Sequence, residues 1–323
     1  MRIWRLQQLG DPAEQLRLVD EEPPTPKPGE VLVDVEAVGL AFPDVLQCRG
    51  QYQVKTGPGF TPGGESAGTV ASLGDGVEGI DVGQRVVFLG GGGLAEQVTH
   101  PAAAVFPVPD GVSAEVAAAI PINYCTTLYA LHDRGHLQAG EWLLVTGAAG
   151  GTGPAAIQLG KALGATVIAV AGGEQKSAFC QSIGADHVVD YRKGPIAEQV
   201  RERVGSVDII FDPVGGAVYQ DAVQAIGLHG RVALVGFGSG EWAQLDPQDM
   251  VSRSYSALGV FLMRCKPEEI AGAYADLFAL YENGGIRVPV DKVYRFDEVP
   301  LALKQVAGSQ LLGKHIVRIA EGG

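Results

Sequence analysis

The chain has 323 residues and a mass of 33.7 kDa, and its 46 glycines are about twice the usual proportion. Hydrophobic residues make up 46%, so the chain can bury a core, and its length predicts two domains rather than one. The 24 basic and 37 acidic residues leave a net charge of −13. This charge argues against nucleic acid as a partner, because nucleic-acid binding depends on cationic neutralisation of phosphates.

The sequence also argues against membrane insertion. No apolar run approaches the roughly 20 residues that span a bilayer, and the first nine residues lack the apolar stretch of a signal peptide. The four cysteines lie at least 55 residues apart and form no Cys-x-x-Cys motif. This spacing favours a reducing compartment, and we expect a cytoplasmic protein.

Residues 1–121 have the pattern of a β-rich domain. Apolar runs predict strands over 31–38, 66–72 and 85–89. Thirteen of the 37 residues from Gly57 to Gly93 are glycine, which suits the tight turns of a bent β-barrel better than helices. We therefore expect the chain to begin with a small barrel.

From 122 to 263 the pattern changes to short apolar strands separated by helical stretches. The predicted strands are 142–146, 166–170, 187–190, 207–211, 231–235 and 257–262, with predicted helices at 154–163 and 175–183. Six strands alternating with helices predict a doubly wound parallel sheet of the α/β class. The strand runs are almost wholly apolar, so we expect helices on both faces of the sheet.

Residues 264–323 return to a mixed character. Helices are predicted over 267–283 and 300–307, and strands over 288–294 and 315–319. We infer that this segment rejoins the first 121 residues. The parallel-sheet domain is then an insertion into the barrel.

A glycine-rich loop directly follows the predicted strand that ends at Thr146. Glycines at such a turn let the backbone approach a pyrophosphate, and the N-terminus of the following helix favours the negative charge. A glycine cluster alone could be a plain turn, but strand, loop, helix and second strand follow in order within 30 residues. The predicted pyrophosphate contacts are Ala149, Gly150, Gly151, Thr152 and Gly153.

The residues at the end of the second predicted strand indicate whether a Rossmann domain binds NAD or NADP. An NAD enzyme usually carries an acidic residue there, but this chain has Ala171–Gly173. Lys176 follows, and Tyr191 and Arg192 end the third strand, so cations and hydrogen-bond donors are available for a 2′-phosphate. We expect NADPH. In the alternative reading the two cations are solvated and Glu174 binds the ribose.

Motifs along the whole chain resemble those of one known family. They are Ala41–Asp44, Arg49–Tyr52, Pro62–Gly68, Gly83–Val86, Pro121–Thr127, Gly147–Gly153, Gly184–Asp186, Asp212–Gly216 and Gly313–Lys314. Together they resemble the zinc-independent quinone oxidoreductases, of zeta-crystallin type, in the medium-chain dehydrogenase/reductase superfamily. The resemblance implies a GroES-like β-barrel, residues 1–121 and 264–323, interrupted by a Rossmann domain, residues 122–263.

The same resemblance argues against a metal. The zinc alcohol dehydrogenases of this superfamily have Cys where this chain has Ala41 and His where it has Gly64, and neither residue offers a donor atom. A short glycine-rich link, Phe88–Leu94, stands in place of the four-cysteine zinc lobe. His132 and His136 have the spacing of a zincin helix, but solvated or helix-capping histidines are the better interpretation because the zincin Glu is absent.

The resemblance also implies candidate catalytic residues. Tyr52 is the candidate that donates to or orients the acceptor, although packing at the barrel rim is the alternative. Asp44 lies where the family keeps an acid, and a structural turn role is an equal alternative. The family often has Asn where this chain has Ala41, so the preference for quinones is open.

Further cofactor contacts follow from the resemblance alone. They are Thr127 near the nicotinamide amide, Gly236, Phe237, Gly238 and Ser239 beside the nicotinamide ribose, and Phe261 and Lys314, the latter at the phosphates. Each could instead be ordinary packing, or a surface charge in the case of Lys314. The sixth Rossmann strand often pairs with its copy in this family, so we expect a homodimer.

Three functions remain open from the sequence. The first is an NADPH-dependent quinone oxidoreductase, because quinones accept hydride in a dry cleft without a Lewis acid. The second is an NADPH-dependent reductase of α,β-unsaturated ketones, aldehydes or enoyl thioesters. The third is a nucleotide-binding protein with little turnover.

Overall fold

A computed structural model describes residues 1–308 and 312–319. The chain forms two compact units. The first contains Met1–Ile122, Lys266–Glu282 and the described residues from Val288 onward, and the second contains Asn123–Cys265 and Asn283–Arg287. Residues 264–265 and 283–287, which the sequence prediction assigned to the barrel, belong to the second unit, and Ile122, predicted in the Rossmann domain, belongs to the first.

The strands and helices are numbered in chain order. The strands are β1 Arg2–Leu6, β2 Leu16–Asp20, β3 Glu30–Leu40, β4 Glu65–Leu73, β5 Arg85–Leu89, β6 Gln97–Pro101, β7 Val105–Pro107, β8 Trp142–Val145, β9 Thr166–Ala171, β10 His187–Asp190, β11 Val207–Asp212, β12 Ile226–Leu234, β13 Ser256–Gly259, β14 Val290–Arg295 and β15 Lys314–Arg318. The α-helices are α1 Pro12–Gln15, α2 Phe42–Cys48, α3 Ala114–Ala117, α4 Asn123–Leu128, α5 Gly153–Ala162, α6 Glu174–Ser182, α7 Ile196–Val204, α8 Gly216–Ala222, α9 Pro247–Arg253, α10 Pro267–Glu282 and α11 Val299–Ala307.

The first unit is built on a bent sheet of seven strands. Its order is β14-β15-β3-β4-β5-β7, and β6 pairs with the first half of β3. Strands β1 and β2 form a separate antiparallel pair. Strand β3 has the alternating pattern of a half-buried strand, since Val33 and Val35 are buried while Asp34 is exposed. Because β15 pairs antiparallel with β3, the end of the chain returns to the N-terminal sheet.

The second unit contains a six-stranded parallel sheet in the order β10-β9-β8-β11-β12-β13. The side chains of Leu143, Leu144, Ile209 and Ile210 have no exposed surface, as expected for strands covered on both faces. This strand order is that of a complete Rossmann sheet, in which ligands bind at the carboxyl ends of the strands. The predicted α/β class, with a GroES-like unit and a Rossmann unit, is confirmed.

The sixth Rossmann strand is shorter than predicted. The sequence predicted a strand over 257–262, but β13 ends at Gly259 and a short 3₁₀ helix covers Leu262–Arg264. The apolar run continues past the end of the pairing with β12, whose last paired residue is Leu234.

Among residues 1–308 and 312–319, no helix has the length and hydropathy needed to cross a bilayer.

A bidentate ion pair links β12 of the Rossmann sheet to Glu141, the residue before β8. Arg231 on β12 donates from both terminal nitrogens to the Glu141 carboxylate at 2.8 Å, and its Nε donates to the carbonyl of Gly135 at 2.9 Å. The two charged side chains are only 19% and 23% exposed, so solvent screens the pair weakly. Hydrogen bonding to Arg231 lowers the pKa of Glu141.

We expect Arg231→Met to lower the free energy of unfolding by about 2 kcal/mol at pH 7 in urea denaturation, because it leaves a half-buried carboxylate without its partner. The loss should shrink as the pH falls through the lowered pKa of Glu141, where the wild-type pair itself is lost. The matched control is Arg295→Met, whose pair with Asp297 is 73% and 57% exposed. Equal losses in the two variants would contradict this assignment.

Candidate nucleotide and acceptor site

The predicted nucleotide loop is anchored by a buried carboxylate. Thr146, directly after β8, donates its hydroxyl to Asp212 Oδ1 at 2.5 Å. The carboxylate also accepts the backbone N–H groups of Val214 and Gly215, each at 3.1 Å. Asp212 thereby joins the carboxyl ends of β8 and β11. This role was not predicted from the sequence, although Asp212 begins one of the family motifs.

The loop presents its middle residues to solvent. Gly151 is exposed and Gly150 and Thr152 are half-buried, whereas Ala149 and Gly153 are buried. A Cβ on Gly153 would collide with the carbonyl oxygen of Ala148, so glycine is required where the loop enters α5. Helix α5 starts at this point, and its unpaired N–H groups suit a pyrophosphate. Of the five predicted phosphate contacts, Gly150, Gly151 and Thr152 thus reach the surface, whereas Ala149 and Gly153 are buried.

Gly173 and the three residues predicted to bind a 2′-phosphate, Lys176, Tyr191 and Arg192, lie on adjacent elements. Strands β9 and β10 are paired, with Ala171 opposite Asp190, so the segments that follow them lie side by side. A Cβ on Gly173 would approach the Arg192 guanidinium to 2.6 Å, and one on the preceding glycine would collide with the Tyr191 ring. Lys176 lies in the first turn of α6, which begins directly after Gly173. We name Gly173, Lys176, Tyr191 and Arg192 the phosphate cradle.

The phosphate cradle fits a 2′-phosphate better than a free ribose diol. Arg192 and Tyr191 pack against two consecutive glycines, Lys176 follows in the first turn of α6, and Ala171 supplies no carboxylate at the end of β9. Glu174, the alternative ribose ligand, is exposed at the start of α6. The geometry therefore favours the predicted NADPH.

The segment predicted to run beside the nicotinamide ribose lies at the same sheet edge. Gly238 and Ser239, in the loop after β12, donate their backbone N–H groups to the carbonyls of Pro213 and Val214 at 2.9 Å. These two acceptors follow Asp212, so the loop after β12 rests on the segment that Asp212 anchors. Gly236 and Phe237, in the same loop, are half-buried.

Three predicted cofactor contacts lie in unexpected surroundings. Thr127 has no exposed surface, and its hydroxyl donates to the carbonyl of Asn123 at 2.7 Å within α4. Phe261 lies beyond the end of β13 rather than within a strand. Lys314 is 3% exposed and forms a buried ion pair with Glu65, so it is not a surface charge. This ion pair gives the ammonium a partner other than the predicted phosphate.

In the first unit, Asp44 is a buried structural acid. Its carboxylate accepts the backbone N–H groups of Ala41, Gly63 and Gly64 at 2.8, 2.9 and 3.1 Å. Burial raises the pKa of Asp44, and these hydrogen bonds partly oppose the rise. Both carboxylate oxygens are occupied by the backbone, so the geometry favours the structural turn role over the catalytic one.

Tyr52, the predicted hydrogen-bond donor, is half-buried in the same unit. Burial raises the pKa of its phenol, and the negative charge of Asp44 raises it further. The phenol therefore keeps its proton at neutral pH and can donate to an acceptor oxygen.

At the two positions where alcohol dehydrogenases carry zinc ligands, this chain has residues whose backbones hydrogen-bond to Asp44. Ala41 and Gly64 both donate backbone N–H groups to the carboxylate of Asp44. His132 contacts its neighbour Asp133 at 2.8 Å, and the backbone N–H of His136 donates to the carbonyl of His132 at the helix end. No group of three or more His, Cys, Asp or Glu residues in the described part of the chain is arranged to hold a metal.

Known proteins match the chain over its full described architecture. Residues 27–110 match the family described as Alcohol dehydrogenase GroES-like domain, and residues 151–279 match the family described as Zinc-binding dehydrogenase. The chain is 33% identical over 310 residues to Quinone oxidoreductase-like protein 2 of Bos taurus, a match that covers 94% of this chain and 89% of that protein.

Two solved structures are similar throughout. Escherichia coli quinone oxidoreductase complexed with NADPH has a TM-score of 0.93 and 27% identity, covering 99% of this chain and 100% of that one. Thermus thermophilus quinone oxidoreductase, solved alone and with NADPH, has a TM-score of 0.86 and 32% identity, covering 99% and 100%. The predicted resemblance is confirmed: the chain belongs to the quinone oxidoreductase family of the medium-chain dehydrogenase/reductase superfamily.

Proposed function

We propose that the protein is an NADPH-dependent quinone oxidoreductase that works without a metal. The observation that carries the proposal is the phosphate cradle, because Arg192 lies against Gly173, Tyr191 lies against the preceding glycine, and Lys176 follows in the first turn of α6. A ribose-binding acid is missing from the end of β9. Two similar proteins, from Escherichia coli and Thermus thermophilus, are quinone oxidoreductases solved with NADPH.

The reaction consumes one NADPH, one quinone and one proton, and yields NADP⁺ and a hydroquinone. Bound NADPH would supply the hydride from its nicotinamide ring. The nucleotide loop would hold the pyrophosphate and the phosphate cradle would hold the 2′-phosphate at the adenosine end, since both follow strands at the carboxyl edge of the sheet. Tyr52 would donate a hydrogen bond to a quinone oxygen as negative charge develops there.

One observation favours a second candidate, the reduction of α,β-unsaturated ketones, aldehydes or enoyl thioesters. Ala41 is only 7% exposed and has replaced the amide that the family often carries at this position. Removing an amide takes a hydrogen-bond donor away from a quinone oxygen and leaves an apolar wall. The third candidate, a nucleotide-binding protein with little turnover, has no comparable observation in its favour.

We expect Lys176→Ala to raise the KM for NADPH by about tenfold while changing the KM for NADH by less than about twofold, because only NADPH carries the 2′-phosphate. Initial rates with both cofactors measure the two constants. The matched control is Lys193→Ala, which removes an exposed lysine next to Arg192. Equal changes for NADPH and NADH would contradict the phosphate cradle.

An acceptor panel tests the reaction itself. We expect quinones to oxidise NADPH faster than enones or enoyl thioesters do, and Tyr52→Phe to lower kcat/KM for quinones by about tenfold through the lost hydrogen bond. NADPH absorbance reports the rates. Turnover of enones alone would support the second candidate, and binding of NADPH without any turnover would support the third.

We also propose a homodimer that forms along β13, in a cytoplasmic protein. Strand β13 ends the described parallel sheet, so its outer edge is available for pairing. Leu228 and Val251, on elements next to this edge, are 72% and 80% exposed. None of the four cysteines, all within the described residues, forms a disulfide, which supports a reducing compartment.

We expect sedimentation velocity to give a dimer of about 67 kDa, twice the chain mass of 33.7 kDa. Val251→Asp should shift the protein toward monomer, because it buries a charge in the apolar contact. Leu301→Asp, which changes a 44% exposed leucine of the first unit, is the control and should leave the dimer intact. A wild-type monomer at micromolar concentration would refute the dimer.

A further inference from the structure

The loop between β12 and α9 is held in one conformation by its own backbone. The N–H groups of Gly238 and Ser239 donate to the segment after β11, and the N–H of Gly240 donates to the carbonyl of Phe237 at 2.8 Å. Gly215, with a φ of +71°, packs so closely below the loop that a Cβ there would collide with the carbonyl oxygen of Glu241. The loop is therefore rigid enough to position a side chain.

This rigid loop exposes an aromatic pair. The indole of Trp242 is 46% exposed, and its ring centre lies 4.3 Å from that of Phe237 at an interplanar angle of 32°. A large aromatic side chain that packs on a second ring on one side and is exposed to solvent on the other is typical of a binding surface.

The sheet order determines which part of a bound ligand can reach this pair. The phosphate cradle follows β9 and β10, whereas the aromatic pair follows β12, three strands away from β9 and about 14 Å across the sheet. The pair therefore lies far from the adenosine end of the cofactor. The loop that carries the pair bonds to the segment after β11, next to β8 at the ligand edge. Phe237 belongs to the segment predicted to run beside the nicotinamide ribose, so we expect the reacting end of the cofactor on this side of the edge.

We propose that Trp242, backed by Phe237, is the surface on which the ring of the acceptor stacks, and that it selects planar fused-ring quinones over single-ring quinones. The inference rests on the proposed quinone reductase function. An indole offers a flat face of about two fused rings, so a naphthoquinone covers more of it than a benzoquinone does. The extra stacking favours the larger acceptor.

Kinetics of Trp242 variants test the selection. We expect Trp242→Leu to raise the KM for 1,4-naphthoquinone by about tenfold and the KM for p-benzoquinone by less than about threefold, because leucine keeps an apolar side chain but removes the flat face. Trp242→Phe keeps one flat ring, so it should raise the KM for 1,4-naphthoquinone by only about threefold and leave the KM for p-benzoquinone close to wild type. The KM for NADPH should not change. Leu245→Ala is the control from the same loop and should resemble wild type.

Calorimetry separates this inference from the proposed function. Titration of the NADP⁺ complex with 1,4-naphthoquinone measures binding without turnover, and Trp242→Leu should weaken the Kd by about tenfold. If quinones bind in this way but are not reduced, the proposed function fails and the stacking surface stands. If Trp242→Leu leaves the Kd unchanged, or raises the KM for NADPH as much as that for naphthoquinone, the stacking surface is refuted.

Discussion

The buried carboxylate of Asp212 is the point on which the ligand edge of the Rossmann sheet depends. It accepts the hydroxyl of Thr146 on one side and the backbone of Val214 and Gly215 on the other. The loop after β12 then bonds to the segment that Asp212 anchors, so three neighbouring loops share one support. Burial raises the pKa of Asp212, and the hydrogen bonds from Thr146, Val214 and Gly215 oppose that rise.

The first unit uses its buried charges in the same way, to shape backbone rather than to react. Asp44 gathers three N–H groups from two segments that are about 20 residues apart in the sequence. Glu65 accepts the N–H of Ile122 at 2.8 Å and pairs with Lys314, which comes from near the end of the chain. In the described part of the first unit, two carboxylates and one ammonium thus join segments that are distant in the sequence.

The sequence was sufficient where local pattern decides structure. The six Rossmann strands, the loop after Thr146 and the closeness of Arg192 to Gly173 all follow from short motifs placed on a known strand order. The partner of Lys314 could not be predicted, because Glu65 lies 249 positions away and either residue alone resembles a surface charge. The buried hydroxyl of Thr127 and the early end of β13 depend equally on packing that short-range pattern does not contain. The roles of Tyr52 and of the cofactor contacts remain predictions.

The conformation of Gly173 constrains how cofactor preference could change during evolution. An NAD enzyme needs a carboxylate close to this position, but Gly173 has a φ of +88° and the guanidinium occupies the space of its missing side chain. An acidic residue at position 173 would therefore meet backbone strain, and the flexible Arg192 side chain would have to move aside. The Arg192 side chain can rotate away, whereas the backbone at position 173 is fixed by its neighbours, so the left-handed φ is the main obstacle to an acidic residue there.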